Sequence, residues 1–148
     1  MKRVYTIGFT KKNAETFFEI LRDHSIDVLI DTRINNTSQL AGFTKEEDLK
    51  YFLKKICGID YRYRPDFAPT KELLKEWRDK MIKWEQYERQ YLFMLENRGT
   101  YKKFLEDFAN YDNVCLLCSE STPEHCHRRL LAEKLKIEFP NEVKVIHI

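Results

Sequence analysis

Two short runs of consecutive apolar residues limit what this chain can fold into. Residues 28–30 read Val-Leu-Ile and end in Asp31, and residues 114–117 read Val-Cys-Leu-Leu and end in Cys118. Strands without polar alternation are typical of a parallel sheet that is covered on both faces. Because helical stretches separate these runs, we predict an α/β fold: a three-layer, Rossmann-like sandwich with a mostly parallel sheet and helices on both faces.

Strands and helices alternate along the rest of the sequence. We predict strands at residues 3–7, 27–31, 59–64, 113–118 and 143–146. Helices are predicted at residues 13–24, 45–57 and 123–139, with a further helical segment around residues 70–110. A chain of 148 residues with this pattern is expected to form a single α/β domain, 1–148.

Local signals suggest where the helices begin and which side they bury. Thr44, followed three residues later by Glu47, fits a capping box at the start of the second helix. Thr122 before Pro123 predicts the start of the last helix, because proline at the first helical position loses no needed donor. In the central segment, apolar residues at helical spacing indicate a long helix or a helix pair. They are Trp77, Met81, Trp84, Tyr91 and Leu95.

Composition argues against several classes of protein. A net charge of +2 is too small to indicate nucleic acid or an anionic membrane as the partner, since basic and acidic residues are interleaved. No run of about 18 apolar residues could span a membrane, and the first residues lack the apolar run of a signal peptide. We therefore expect a cytoplasmic protein whose four cysteines are reduced thiols.

Polar turns follow three of the predicted strands. In a parallel sheet the turns at the carboxyl ends of the strands share one edge, where ligands bind. The residues predicted to bind a ligand at this edge are Gly8, Phe9, Thr10, Arg33, Ser119 and Arg128. The residues whose groups could carry out catalysis there are Asp31, Cys118, Glu120, Cys126 and His127.

The arginines favour an anionic ligand. A guanidinium group matches phosphate or carboxylate in bidentate fashion, and the positive amino-terminal end of the last helix would face the same turn. Arg33 and Arg128 are therefore the predicted anion-binding residues. Asp31 would pair with one of them as a structural ion pair or, like Glu120, act as a general base.

The cysteines allow two interpretations. Cys118 or Cys126, near Arg128, could be a nucleophile with His127 as its base. Equally, both thiols could pack the last helix onto its strand, with His127 as a hydrogen-bonded core residue. No metal site is predicted: Cys115 and Cys118 would point to opposite faces of one strand, and the adjacent Cys126 and His127 would project about 100° apart on a helix.

Residues 61–64 suggest a different kind of partner. Tyr61, Arg62, Tyr63 and Arg64 interleave bases with aromatic rings, as sites for single-stranded nucleic acid do. A half-exposed strand has the same pattern. These residues support the alternative that the chain is a non-catalytic nucleic-acid or nucleotide-binding module.

The chain also resembles the family catalogued as domain of unknown function 488. The resemblance extends over nearly the whole chain and is most specific at residues 117–120, Pro123 and residues 126–128. The other matching positions are residues 6–9, residues 29–33, Ser38, Phe43 and residues 58–61. Family members often carry His-Ser at residues 9 and 10 and Asp-Val-Arg at residues 31–33. The resemblance implies a three-layer α/β fold and a shared site, and it brings no settled activity.

Taken together, these residues favour an enzyme acting on a phosphorylated or nucleotide-like small molecule at the carboxyl edge of the sheet. The nucleic-acid or nucleotide-binding module is the alternative. A third hypothesis is a scaffold whose helical segment presents the apolar stripe to a partner protein. No reaction, cofactor or oligomeric state follows from the sequence.

Overall fold

Five parallel strands form the sheet of the protein. In this computed structural model, which describes residues 1–37, 41–120 and 122–148, the strands are β1 (Lys2–Gly8), β2 (Val28–Asp31), β3 (Asp60–Tyr63), β4 (Asn113–Cys118) and β5 (Val143–His147). Their order across the sheet is β3-β2-β4-β1-β5, and every neighbouring pair runs parallel. The predicted mostly parallel α/β sheet is confirmed. Ser38, one of the positions that carry the family resemblance, lies outside the described residues.

Helices connect the strands. Those found in the described residues are α1 (Ala14–Asp23), α2 (Glu46–Phe52), α3 (Lys71–Arg78), α4 (Trp84–Asn97), α5 (Thr100–Asp107) and α6 (His127–Glu138). The side chain of Asn13 accepts a hydrogen bond from the Thr16 amide and caps α1, and Thr70 caps α3 through the Leu73 amide. None of these helices combines the length and the apolar character that crossing a bilayer requires.

Two apolar clusters join the helices to opposite faces of the sheet. On one face, α1 and α2 pack against β-strand residues such as Leu29 and Leu117. On the other, α3 to α6 pack against residues such as Ile30 and Leu116. Consecutive residues of a strand therefore belong to different clusters, because their side chains point alternately to the two faces of the sheet. This confirms the predicted three-layer sandwich with helices on both faces.

The strand order opens a crevice at the carboxyl edge. Strand β4 lies between β1 and β2. The helices after β1 and β2 lie on one face, whereas α6, which follows β4, lies on the other. The chain leaves these neighbouring strands toward opposite faces of the sheet, so a gap opens between the connecting segments at the edge. Ligands bind at such gaps in open α/β folds.

One predicted helix cap and one predicted helix start are wrong. Helix α2 begins after Lys45, and the Thr44 hydroxyl donates to the Ala41 carbonyl (2.8 Å) within a 3-10 turn instead of forming a capping box. Helix α6 begins at His127, not at Pro123. The Arg129 side chain donates to the Pro123 carbonyl (3.2 Å), which holds the preceding residues in a separate turn.

The predicted apolar stripe is interrupted. Met81 is 74% exposed because the segment between α3 and α4 turns at Lys80, which has a positive φ of 58°. The segment is thus a helix pair, the second of the predicted possibilities. Tyr91 and Leu95 are fully buried in the cluster that contains α6. That part of the stripe packs within the chain and is therefore not available to a partner protein.

Candidate functional site

Backbone hydrogen bonds bring the three predicted polar turns together. The Thr10 amide donates to the Ser119 carbonyl (3.1 Å), which ties the turn after β1 to the turn after β4. The Thr32 amide and hydroxyl both donate to the Leu117 carbonyl (3.1 and 2.8 Å), which ties the end of β2 to β4. Residues distant in sequence therefore share one edge of the sheet.

Gly8 allows the turns to approach this closely. A Cβ atom at this position would lie 1.5 Å from the Glu120 carbonyl oxygen and 2.8 Å from Nη1 of Arg128. Real Cβ atoms do not come that close to backbone oxygens. Gly8 is thus required for the contact between the ends of β1 and β4.

A cavity of about 610 Å³ lies at this edge. Its walls come from the ends of β1, β2 and β4, from α3 and α4, and from the turn before α6. The predicted site residues that line it are Phe9, Arg33, Cys118, Ser119, Glu120, Cys126 and His127. The predicted residues Gly8, Thr10, Asp31 and Arg128 are not among its lining residues. The cavity thus brings together a part of the predicted set.

Asp31 forms the predicted ion pair with Arg33. The carboxylate is fully buried, accepts from Nε and Nη2 of Arg33 (2.8 and 2.9 Å) and also accepts from the Tyr61 hydroxyl (2.6 Å). Arg33 in turn donates to the Thr44 carbonyl (2.6 Å). Burial and the neighbouring Asp31 carboxylate raise the pKa of Tyr61, so the phenol remains a donor. These contacts favour a structural role for Asp31.

The other predicted nucleic-acid residues are also engaged within the chain. Arg62 donates to the Tyr111 hydroxyl (3.2 Å), and Tyr63 donates to the Ile34 carbonyl (2.8 Å). Arg64 forms ion pairs with two carboxylates, at 2.9 and 2.8 Å, and lies 4.3 Å from the centre of an aromatic ring. Tyr61 is the buried donor to Asp31. Residues 61–64 therefore offer few free groups to a nucleic acid strand.

Arg128 is a buried arginine directly behind the cavity wall. Its Nη1 donates to the Glu120 carbonyl (2.6 Å) and to Sγ of Cys118 (3.0 Å). Its Nε has no hydrogen-bond partner among the described residues. Burial lowers the pKa of Arg128 to about 10, since desolvation disfavours the charged form.

Cys118 and Cys126 form a disulfide, so the prediction of four reduced cysteines is wrong for this pair. The bond joins the last residue of β4 to the residue before α6. The two residues meet because the chain turns back between the strand and the helix. Cys57 and Cys115 are free thiols. Cys115 is fully buried in the apolar cluster, as predicted, and burial raises its pKa.

His127 is a hydrogen-bonded core residue at the cavity wall. Its Nε2 lies 2.9 Å from the Thr32 carbonyl oxygen. Because a carbonyl oxygen only accepts, Nε2 carries the ring proton. Burial lowers the pKa of His127 to about 4, and the hydrogen bond to Thr32 offsets part of that effect. The ring is therefore neutral at physiological pH.

Aromatic rings line the helical side of the cavity. Trp77 lies 5.6 Å from His125, with the ring planes at 72°. Tyr87 stacks against Trp84, with centroids 4.8 Å apart and planes at 20°. The ring of Phe9, which follows β1, also lines the cavity. Trp77, His125 and Phe9 thus provide aromatic rings at the cavity wall.

Comparison with known proteins places this arrangement in a family. The family model described as Domain of unknown function DUF488 matches residues 13–135, which is most of the chain. The chain belongs to the DUF488 family. This confirms the resemblance found in the sequence. No curated protein and no solved structure shows a significant match to it.

Several lining residues of this DUF488 cavity were not predicted from sequence. They are Ile34, Asn35, Lys71, Leu74, Lys75, Trp77, Arg78, Asp79, Tyr87 and His125. The basic residues among them could be recognised from the sequence pattern. Lys71, Lys75 and Arg78 recur at spacings of four and three and therefore share one face of α3. Trp77 belongs to the predicted apolar stripe, but helical spacing does not distinguish a core ring from one at a cavity wall.

The donor groups of the cavity do not form a metal cluster. Across residues 1–37, 41–120 and 122–148, no three histidine, cysteine or acidic side chains are placed to hold a metal ion.

Proposed function

We propose that this DUF488 protein is an enzyme that acts on a nucleotide-like small molecule, meaning a planar ring that carries an anionic group. The observation that carries the proposal is the composition of one cavity wall. Helix α3 contributes the basic residues Lys71, Lys75 and Arg78 next to the ring of Trp77. A ring surface beside a cationic surface matches both halves of a nucleotide.

The size of the cavity supports a small ligand. Pockets for small molecules typically enclose roughly 300–1,000 Å³, and this one encloses about 610 Å³. A mononucleotide fits such a volume, whereas a nucleic acid strand would need an open groove that follows its backbone. The proposal therefore favours a small molecule over the nucleic-acid alternative.

The anionic group is assigned to α3. Arg78 is exposed at the wall and forms no ion pair among the residues that the structure describes. Lys75 is paired with Asp79, and its charge is partly offset. Arg33 reaches the cavity as well, but its guanidinium group is neutralised by Asp31. Arg78 is thus the best placed guanidinium for a phosphate.

Glu120 is the proposed acid–base group. It is exposed at the cavity wall and, within the described part of the chain, has no ion-pair partner. Asp79, the other lining carboxylate, is held by Lys75. Asp31 is enclosed by Arg33 and Tyr61. A general base needs a lone pair that can reach the substrate, and Glu120 meets that requirement.

Binding is tested by titrating the protein with nucleoside monophosphates, nucleosides and ribose 5-phosphate while following tryptophan fluorescence. We expect the monophosphates to bind at least about tenfold more tightly than nucleosides, which lack the phosphate, or ribose 5-phosphate, which lacks the planar ring. Arg78→Ala should weaken monophosphate binding by about tenfold and leave nucleoside binding unchanged. Arg89→Ala, an exposed arginine of α4 that does not line the cavity, is the matched control.

Two results would contradict the proposed ligand class. One is the absence of binding by any monophosphate at millimolar concentration. The other is an equal effect of the two arginine substitutions. Tight binding of a single-stranded oligonucleotide, weakening steeply as salt rises, would support the alternative module instead.

The enzymatic part is tested separately with the monophosphate that binds best. Product formation is followed by mass spectrometry in the wild type and in Glu120→Gln. We expect the substitution to lower the turnover rate by about 100-fold or more, as loss of a general acid or base does, with the dissociation constant unchanged. Turnover at the wild-type rate would remove Glu120 from the mechanism.

A further inference from the structure

The disulfide between Cys118 and Cys126 lies in the cavity wall. Both cysteines line the cavity, although their exposed fractions are only 1% and 3%. Cys118 ends β4, and Cys126 immediately precedes the twelve-residue helix α6. A small molecule in the cavity therefore lies against the two bonded cysteines, in contrast to a disulfide enclosed in an apolar core.

Arg128 gives the two sulfur atoms different surroundings. The residue is 99% buried, and its guanidinium group donates from Nη1 to Sγ of Cys118 at 3.0 Å. No carboxylate lies within ion-pair distance of it among the described residues. A buried guanidinium without a counterion is costly. A thiolate on Cys118 would supply that negative charge at the right place.

We propose that Cys118 and Cys126 form a thiol–disulfide exchange site that reacts with low-molecular-weight thiols entering the cavity. Cys126 is the sulfur that the incoming thiolate attacks, and Cys118 is the sulfur that leaves. The assignment follows from the contacts: the better leaving group is the thiolate that is stabilised by a positive charge, and Arg128 donates to Cys118.

The exchange balances in two steps. In the first, an external thiolate attacks Sγ of Cys126, the bond between Cys126 and Cys118 breaks, and Cys118 departs as a thiolate. In the second, another external thiolate attacks the external sulfur of the mixed disulfide. That releases the oxidised external disulfide and a Cys126 thiolate, which takes a proton from solvent. Two external thiols are oxidised and the protein disulfide is reduced; the reverse sequence restores it.

The other two cysteines serve as internal controls. Cys115 is fully buried, and burial raises its pKa. Burial also raises the pKa of Cys57, whose thiol lies 3.7 Å from the Phe18 carbonyl oxygen. Neither lines the cavity. Their state should therefore not change with the redox potential of the solution.

The first test equilibrates the wild-type protein with mixtures of reduced and oxidised dithiothreitol, followed by acid quench, denaturation, thiol labelling and peptide mass spectrometry. We expect labelling of Cys118 and Cys126 to rise together, as one two-electron transition, while Cys57 and Cys115 stay fully labelled. Labelling of Cys118 and Cys126 at every ratio, or at none, would overturn the proposal.

The second test identifies the leaving sulfur. In reduced Cys126→Ser protein, the rate of Cys118 alkylation by iodoacetamide is measured between pH 6 and pH 9. The Cys57→Ser variant is the control, and it reports how the other thiols are labelled under the same conditions. A thiolate held by Arg128 should react at nearly the same rate across this range. An ordinary thiol, with a pKa of about 8.5, would react more than 100-fold faster at the upper end. The second result would overturn the assignment of Cys118.

Discussion

Two buried charges at the edge of the sheet are accommodated in different ways. Asp31 receives a bidentate arginine and a phenol, so its charge is fully matched within the fold. Arg128 has a carbonyl oxygen and a sulfur as its partners. A matched pair holds the turns in place, whereas a guanidinium lacking a carboxylate favours a negative group beside it. The first contact fits a structural role for Asp31, and the second is the basis of the proposed thiol–disulfide exchange site.

Gly8 tests whether the turns meet as described. Gly8→Ala places a Cβ within 1.5 Å of the Glu120 carbonyl, so we expect the free energy of unfolding to fall by roughly 3 kcal/mol. Gly42→Ala is the control, since no atom of the described residues lies within 4 Å of a Cβ there, and its effect should stay within about 0.5 kcal/mol. Urea denaturation measures both. Equal effects would show that the ends of β1 and β4 are not in contact.

His127 should make stability depend on pH. Its pKa is about 4 in the folded protein, against an ordinary value of 6.5. Between these values the unfolded chain binds a proton that the folded chain does not, so stability falls as pH drops from 6.5 to 4. The expected loss is about 3 kcal/mol.

His127→Gln isolates this effect, because the variant keeps a donor for the Thr32 carbonyl and lacks the titrating ring. Urea denaturation of both proteins at several pH values gives the difference in their unfolding free energies. The unfolding free energy of the wild type, relative to that of the variant, should decrease as the pH falls from 6.5 to 4. The contributions of other titrating groups cancel in this difference. A difference that does not vary with pH would contradict the burial of a neutral ring.

The strands were the easiest elements to predict. Runs of apolar residues at 28–30 and 114–117 identify buried strands because both faces must be covered. Helix starts were harder. At α6, the side chain of Arg129 holds the Pro123 turn apart from the helix, and no local motif encodes that contact. At α2, the Thr44 hydroxyl bonds to Ala41 instead of capping.

The break between α3 and α4 separates residues that share one sequence pattern. Leu95 is fully buried, so Leu95→Ala should lower the free energy of unfolding by roughly 2–5 kcal/mol. Met81 lies in the exposed turn, so Met81→Lys should change it by no more than about 0.5 kcal/mol. Thermal and urea denaturation distinguish the two. A large effect at Met81 would mean that the stripe continues through one long helix.

On the scale of the whole molecule, the rule that parallel strands share a carboxyl edge was enough to collect Phe9, Arg33 and Glu120 at one cavity. The rule did not predict that α3 forms another wall of the cavity. Helix α3 reaches the cavity because it packs beside α4 over one face of the sheet, and such an arrangement depends on strand order and contacts distant in sequence. The disulfide was missed for a different reason: Cys118 and Cys126 lie only eight residues apart, but reduced thiols were expected of a cytoplasmic protein. The single-domain organisation stays a prediction.

The proposed function requires that one cavity at the carboxyl edge bind a planar, anionic small molecule. The most direct test is a crystal structure of the protein with a nucleoside monophosphate. The account predicts a phosphate within about 3.5 Å of the Arg78 guanidinium, the base against Trp77, and the sugar on the side of Glu120. A nucleotide bound elsewhere on the surface, with this cavity unfilled, would contradict it.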